Sequence, residues 1–388
     1  MPPVVRRLGW VSFCTDAASE LLYPLIPIFL TVTLGAPVAV VGLIEGLADG
    51  VATGLKAIAG VLADRFRRHR LMVGIGYTLS ALSKPLLAVA PGWGAVAGLR
   101  VSDRVGKGIR GAPRDAMIAD AVDAEDRGRA FGFHRMMDTA GAVLGPLLAL
   151  GALAVFGSKH LRPIFLVALV PGLASIALLV KLPKSDRAVG SRWEKQPLPW
   201  RSRFGGFVAV TALFSLGNSS DAFLLLRAKD LGLSTTQVIL AYALYNLIYA
   251  AVSLPAGSRS DRMGRERIYG AGLIAFAAVY AGFALATDGW QVWPLMVVYG
   301  TYMALTDGIG RALVVDLVPE GVRGKALGVT QAVTGGGVLV AGISAGLLWD
   351  GISPAVPFAV GAVLAVAAYL LLRLIVLPAR ATPVRTPR

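Results

Sequence analysis

Charge is what this sequence has least of. Only 16% of its 388 residues are Asp, Glu, Lys or Arg, where soluble globular chains average about 25%. A water-facing surface cannot be built from so few, and the 55% hydrophobic share and mean hydropathy of +0.66 agree. Cysteine is nearly absent: Cys14 stands alone, which excludes an intramolecular disulfide framework. With three histidines there is no His-rich metal motif. No Gly-rich loop ending in Gly-Lys-Ser/Thr is present to drive a pump with nucleotide, and no nucleophile–base set suggests an enzyme. No activity of the enzymatic kind, no cofactor and no bound metal are expected.

What is present is a set of long apolar runs. They fall at about 9–34, 38–62, 71–90, 94–119, 129–156 and 162–181, and again at about 204–227, 236–256, 268–287, 291–315, 325–349 and 354–377. Each is long enough to span a bilayer, which needs about 20 residues. The first continues well beyond a signal-peptide core and carries Asp16 and Glu20, so it reads as a retained span. The expected fold is an all-α polytopic membrane protein of twelve helices. Residues 1–181 form an N-terminal six-helix unit, 182–203 a polar cytoplasmic linker, 204–377 a C-terminal six-helix unit and 378–388 a basic tail.

The net charge of +15 would suggest nucleic acid in a soluble protein. Here the basic residues sit in short clusters between spans, with no aromatic-basic interleaving, so no nucleic-acid partner is expected. With both termini inside, about 24 Lys and Arg lie on the cytoplasmic side against about 4 outside, a strong positive-inside bias.

The two units repeat each other. Gly60-Val-Leu-Ala-Asp64-Arg65-Phe-Arg67-Arg68-His-Arg70 follows run two, and Gly257-Ser-Arg-Ser-Asp261-Arg262-Met-Gly264-Arg265-Glu-Arg267 follows run eight. Asp120 and Arg127-Gly-Arg-Ala-Phe-Gly132 follow run four, and Asp316 and Arg323-Gly-Lys-Ala-Leu-Gly328 follow run ten. Both matches have an offset of about 197 positions, and six-helix halves related this way are a transporter architecture.

On these motifs the chain resembles the major facilitator superfamily (MFS) over essentially its whole length. The Gly-x-x-x-Asp-Arg-x-Gly-Arg-Arg loop is that family's mark. The first copy departs from it, with Arg67 in place of the second glycine; the second keeps Gly264. Arg104-Val-Gly-Lys-Gly-Ile-Arg-Gly-Ala112 resembles the family's helix 4 pattern, and Gly141-Ala-Val-Leu-Gly145-Pro146 its antiporter signature, closed here by Ala149. The string from Asp103 to Asp120 is similar to a prokaryotic exporter subgroup. The resemblance implies the MFS fold, two pseudo-symmetric bundles working as a monomer by alternating access, in a bacterial or archaeal cytoplasmic membrane.

Charges inside the spans are the candidate site. Arg100, Asp103, Arg104, Lys107, Arg110 and Arg114 share one stripe of helix 4; facing lipid, each would cost at least about 2.5 kcal/mol. Arg100 and Arg104 lie deep, whereas Lys107, Arg110 and Arg114 are expected to pair with charged loops. Candidate counter-charges are Asp16 and Glu20 on one face of run one, and Glu45 and Asp49, with Lys56, on one face of run two. Run five adds Arg135 and Asp138. Counting about 1.5 Å per residue, Glu20, Asp49, Arg104 and Asp138 come near the midplane. The second half is sparser: Asn218, Asp221, Asp307 and Arg311, with Asp221 the counterpart of Glu20. Tyr242, Tyr245, Asn246 and Tyr249 are expected to form an apolar, aromatic cavity wall.

Gly60, Asp64, Arg65, Arg68, Arg127, Asp261, Arg262 and Arg323 are expected to act as a conformational latch, Asp64 pairing with Arg side chains and helix N-termini. Gly141, Gly145 and Pro146 permit close helix approach. The expected function is export of a small molecule or drug in exchange for protons. The alternatives are a divalent-metal exporter, or uptake by proton symport.

Overall fold

The computed structural model describes residues 1–66, 69–123, 127–157, 160–180, 182, 197–319 and 322–376. Among these, twelve long helices follow one another: α1 (Pro3–Thr33), α2 (Val38–Phe66), α3 (His69–Leu86), α4 (Trp93–Asp120), α5 (Arg127–Phe156), α6 (Leu161–Val180), α7 (Arg203–Asp230), α8 (Thr235–Met263), α9 (Arg265–Leu285), α10 (Val292–Asp316), α11 (Arg323–Gly351) and α12 (Val356–Ile375). Ten are both long and apolar enough to cross a membrane. The other two, α4 and α10, are equally long but more polar, and each is the fourth helix of its half. The symmetry of the repeat thus extends to where polarity is tolerated.

Three helices are interrupted. α1 ends in a π turn at Phe29–Thr33, and α6 breaks at Ala168. α7 is unwound between Gly217 and Ala222, over Asn-Ser-Ser-Asp, residue types whose side chains offer the backbone alternatives to helix. The loop between α8 and α9 is a single residue, Gly264, at φ +96°. That conformation is cheap only for glycine, which accounts for Gly264 in the second loop signature.

Every major packing pair of the first half recurs six helices later. α1 packs on α5 as α7 packs on α11; α2 and α3 pack on α4 as α8 and α9 pack on α10; α6 lies against α1 and α3 as α12 lies against α7 and α9. The halves meet through α2 with α11 and α5 with α8, contacts that the same symmetry exchanges. Arginines finish the corresponding third helices. Arg162 donates to Ala88 O and Ala90 O at 2.9 and 2.8 Å. Arg227 donates to Phe283 O and Ala286 O at 3.2 and 2.8 Å. Both satisfy carbonyls left open at a helix C-terminus.

The side bearing the chain termini is marked by Arg203, which donates to Val376 O at 2.9 Å. On the far side, α2 and α11 touch backbone to backbone. A Cβ on Gly342 would lie 2.8 Å from Gly42 O, and one on Gly46 3.1 Å from Leu339 O, the close approach that small residues allow in membranes. The Asp350 carboxylate of α11 then accepts the N–H groups of Val38 and Ala39 at 3.2 and 2.7 Å, capping the first turn of α2 across the two halves. On the terminus side a cavity of about 280 Å³ lies between α8 and α10, with Arg135 of α5 at its edge. The halves are therefore in backbone contact on the far side, and the cavity lies on the side of the termini.

Replacing Asp350 with Ala removes that cap, a loss of about 1 kcal/mol by the scale of helix N-caps, and biases the far side towards opening. A maleimide should then react faster with Leu339→Cys in a Cys14→Ser background; an unchanged rate would show that Asp350 does not hold this closure.

Candidate functional site

The stripe on α4 meets a different partner at each level. Arg100 clasps Glu45 of α2 with two hydrogen bonds, at 2.9 and 2.5 Å, and lies 3.8 Å from Asp103. Asp103 takes the Lys84 ammonium of α3 at 3.0 Å and the Ser80 hydroxyl. Two cations and two anions cancel in a sealed cluster, with Glu45 1% exposed and Lys84, Arg100 and Asp103 no more than 6%. The sequence reading put Glu45 and Arg100 among the coupling groups. The structure instead buries them inside the first half, tying α2, α3 and α4 together, with no face on the cavity. Lys84 was not singled out, although a lone lysine in an apolar run was its signal. Arg110 donates to Gly76 O at 3.5 Å and lies 4.4 Å over the Tyr77 ring, while Arg114 pairs with its neighbour Asp115 at 2.8 Å. Neither takes the loop partner expected of it. Lys107 is exposed.

Arg104 faces Asp49 at 3.6 Å, and Asp49 is one-third exposed. Beyond this pair the polar centre is organised by one face of α8. Tyr242, Tyr245 and Tyr249 are three and four residues apart, so they project together. Each donates its hydroxyl to a different carboxylate: Tyr242 to Glu20 of α1, Tyr245 to Asp221 of α7 at 2.9 Å, and Tyr249 to Asp307 of α10 at 2.8 Å. Asp221 receives a second hydroxyl, from Tyr299 of α10, at 2.5 Å. The unwound stretch of α7 places Asp221 at the start of that helix's second part. The tyrosines expected to form an apolar wall are therefore hydrogen-bond donors to acids. Tyr299 gave no signal beyond being an aromatic in an apolar run.

Glu20 and Asp221 share a property that distinguishes them from Glu45, Asp49, Asp103 and Asp307. Among the described residues no Lys, Arg or His lies within 4 Å of either, and tyrosine hydroxyls are their side-chain donors. The Glu20–Tyr242 bond also crosses from one half to the other. Beside it, Tyr23 stacks on Tyr242 at 5.5 Å and shares a hydrogen bond with Ser220 at 3.2 Å. Asn246 bonds its own helix at Tyr242 O, and Asn218 ends the first part of α7.

Nearer the termini, Asp307 binds Arg311 at 2.6 Å and Arg135 of α5 at 3.4 Å, and Arg135 also reaches the Tyr249 hydroxyl at 3.2 Å. This second bridge between halves borders the cavity. Asp138 turns to His134 at 3.5 Å, and Asp138 Oδ1 and His134 Nε2 are buried without hydrogen-bond partners. Among the described residues Asp16 makes no ion pair, lying in the field of Asp138, Lys107, Arg110 and Arg114. Depth alone grouped Glu20, Asp49, Arg104 and Asp138; the structure separates them into three sets. Among the described residues there is no group of three His, Cys, Asp or Glu arranged to hold a metal.

The glycines of α5 lie directly against α1. A Cβ on Gly145 would sit 2.5 Å from Glu20 Cβ and 2.7 Å from Leu21 N; one on Gly141 would sit 3.1 Å from Ala17 N. Gly145, followed by Pro146, thus fixes the height of Glu20. Of the expected latch, Gly60, Asp64, Arg65, Arg68, Arg127 and Asp261 lie outside the described side chains, Arg68 wholly. Arg262 is exposed, and Arg323 begins α11. In the second loop signature the visible tie is Arg265, bonded to Asp316 at 2.7 Å and to Ala312 O at 3.1 Å, beside Arg203–Glu266 at 2.5 Å.

Two pseudo-symmetric six-helix bundles, in backbone contact on one side and lined with acids where they meet, define a membrane transporter of small molecules rather than an enzyme. A family profile described as Major Facilitator Superfamily matches residues 8–226 and 204–388. The chain belongs to the Major Facilitator Superfamily. It is 34% identical to an uncharacterised MFS-type transporter of Methanocaldococcus jannaschii, covering 95% of this chain and 94% of that one. It is 27% identical to the class C tetracycline resistance protein of Escherichia coli, covering 71% and 72%. Among solved structures it resembles a POT family transporter (TM-score 0.80, 12% identity, 97% and 96% covered) and the nucleoside transporter NupG (0.75, 15%, 96% and 98%). At these identities the likeness is one of fold.

The sealed cluster makes a stability prediction. Arg100→Leu leaves Glu45 buried without its cation and should cost about 3–5 kcal/mol, whereas Arg135→Leu, at a pair more than half exposed on the arginine side, should cost less than about 1 kcal/mol. Thermal melts in detergent compare the two; equal losses would contradict the division into sealed and cavity-facing pairs.

Proposed function

We propose that the protein exports a small molecule in exchange for protons by alternating access, with Glu20 and Asp221 as the proton-carrying groups. The observation that carries this reading is their shared setting: acids held by tyrosine hydroxyls and, among the described residues, by no cation, Glu20 across the two halves and Asp221 within the second. A tyrosine hydroxyl donates to a carboxylate and accepts from a carboxylic acid. Such a site keeps its partner in either protonation state, whereas a carboxylate clasped by arginine has a strong reason to stay ionised. Because Glu20–Tyr242 joins the two halves, a change of charge at Glu20 alters a contact that rocking must break.

Direction is supported by two further points. The positive-inside bias favours a cytoplasmic position for the termini, and with them the cavity, on the side where a compound to be exported enters. Relatives include proteins named for resistance to tetracycline and to puromycin, and a multidrug resistance protein. Arg104–Asp49 and Arg135–Asp307 line the route as ion pairs that can exchange partners with substrate. The second-half loop tie, Arg265–Asp316, serves as a latch on the terminus side.

In everted membrane vesicles holding a pH gradient, a transported compound should release protons. Tetracycline, puromycin and a panel of organic anions are the trial substrates. Glu20→Gln and Asp221→Asn should each abolish that release while the protein still inserts. Substrate flux that ignores the gradient and survives both substitutions would overturn the coupling.

A further inference from the structure

The cavity on the terminus side has one carboxylate for two arginines. Arg135 of α5 and Arg311 of α10 both line it, as does Asp307. Nη2 of Arg311 lies 2.6 Å and Nη2 of Arg135 3.4 Å from the same atom, Asp307 Oδ2, and the Tyr249 hydroxyl donates to that oxygen at 2.8 Å. Two guanidinium groups, one from each half, therefore converge on one point. Among the described residues neither has a second carboxylate within 4 Å. Asp138, one turn along α5 from Arg135, turns to His134, and Arg265, the third arginine of the wall, has its own acid in Asp316 at 2.7 Å. Arg135 and Arg311 thus hold one positive charge more than Asp307 neutralises.

Their donors are not used up. Arg135 directs Nη2 to Asp307 and Tyr249, while Arg311 directs Nη2 to the Asp307 carboxylate and Nε to the Asp307 carbonyl. Nε and Nη1 of Arg135 and Nη1 of Arg311 have no protein acceptor among the described residues, and the two side chains are 57% and 51% exposed. The wall beside them leaves room. A Cβ on Gly257 of α8 or Gly308 of α10, which both line the cavity, would meet nothing within 4 Å, so helix packing accounts for neither glycine. Ser253 and Ser260 donate to their own helix, at Tyr249 O and Gly257 O, which leaves the arginines as the wall's free donors. The volume of about 280 Å³ stands at the lower limit of ligand pockets, about 300–1,000 Å³.

We propose that this cavity binds the cargo through a carboxylate held between Arg135 and Arg311, in competition with Asp307. This rests on the transporter reading above and adds the chemical class of what is carried: a small organic acid, as its monoanion. A single excess positive charge matches a carboxylate better than a phosphate monoester, which carries about −1.5 to −2 at pH 7. Asp307 is the internal stand-in, offering one oxygen to both arginines; an incoming carboxylate offers two oxygens to two planar forks. Arg135 belongs to the first half and Arg311 to the second, so the bound acid ties the halves together at α5 and α10.

The test uses the full-length protein purified in detergent, without a gradient. Calorimetry compares benzoate, salicylate and p-aminohippurate with benzamide, which keeps the ring and lacks the charge, and with tetraphenylphosphonium. At least one acid should bind, and neither benzamide nor tetraphenylphosphonium should. Arg135→Gln and Arg311→Gln should each weaken acid binding about ten-fold, the scale of one charge-assisted hydrogen bond. Asp307→Asn should tighten it about five-fold, because the competing carboxylate is gone. That gain separates the proposal from a loss of fold or a merely structural ion pair, neither of which improves binding. Binding by none of the acids, equal binding of benzamide, acid binding unchanged in both Gln variants, or no gain in Asp307→Asn would overturn it. In the vesicle assay the two readings fail separately. Proton release driven by tetraphenylphosphonium and by no acid would retain antiport and remove the acid site; acid flux without proton release would do the reverse.

Discussion

A charge inside a membrane must be met by a partner or by water, and this fold sorts its ionisable groups by which of the two they receive. Glu45, Lys84, Arg100 and Asp103 receive one another and are sealed. They hold three helices of the first half at fixed angles, and α4 can carry its polarity through the bilayer because of them. The groups at the seam between halves receive weaker or shared partners. Glu20 and Asp221 have tyrosine hydroxyls, and Asp307 serves two arginines. The first set makes a half rigid, and the second is what rocking would rearrange in the proposed cycle.

The twelve spans, the repeat and the polar stripe on α4 were legible because each is a local pattern: run length, a motif recurring at one offset, and a helical period. The partners of that stripe were not, because they lie on other helices whose rotation a single sequence does not reveal. Lys84 shows the difficulty, since one lysine in an apolar run carries no mark of the acid it will meet on α4. Distance along a helix gives depth but not direction, so Glu20, Asp49, Arg104 and Asp138 were assigned to one level; Arg104 and Asp49 do meet, but Glu20 and Asp138 turn to Tyr242 and His134. The tyrosines of α8 were found by spacing yet given the wrong chemistry. Their rings do pack, with Tyr242 and Tyr245 5.1 Å apart and Tyr245 and Tyr299 5.3 Å apart, but their hydroxyls face acids contributed by three other helices.

The two seams between the halves are built from different materials, although the internal symmetry relates them. On the far side α2 and α11 meet through glycines and a cap from Asp350, a dry contact of backbone on backbone. On the terminus side α5 and α8 are linked by polar side chains, Arg135 with Tyr249 and Asp307. Close packing of small residues is lost as soon as the backbones part by a fraction of an ångström, so the far seam favours being fully shut or fully open. Long polar side chains reach across a widening gap, and their bonds exchange with water or ligand at modest net cost. In the proposed cycle the seam facing the cavity is thus the adjustable one.

Glu20 is the point where these constraints converge. Gly145 sets its backbone against α5 with no room for a methyl group, so Glu20 cannot slide relative to its own half. Its side-chain bond is to Tyr242 in the other half, on the same face of α8 as the donors to Asp221 and Asp307. A carboxyl fixed to one body and bonded to the second converts a change of its charge into a change of force between bodies, with little lost to local rearrangement. In the proposed cycle that makes Gly145 part of the coupling. It holds no ligand and moves no proton, but without its close contact Glu20 could relax in place and the two halves would not register its protonation.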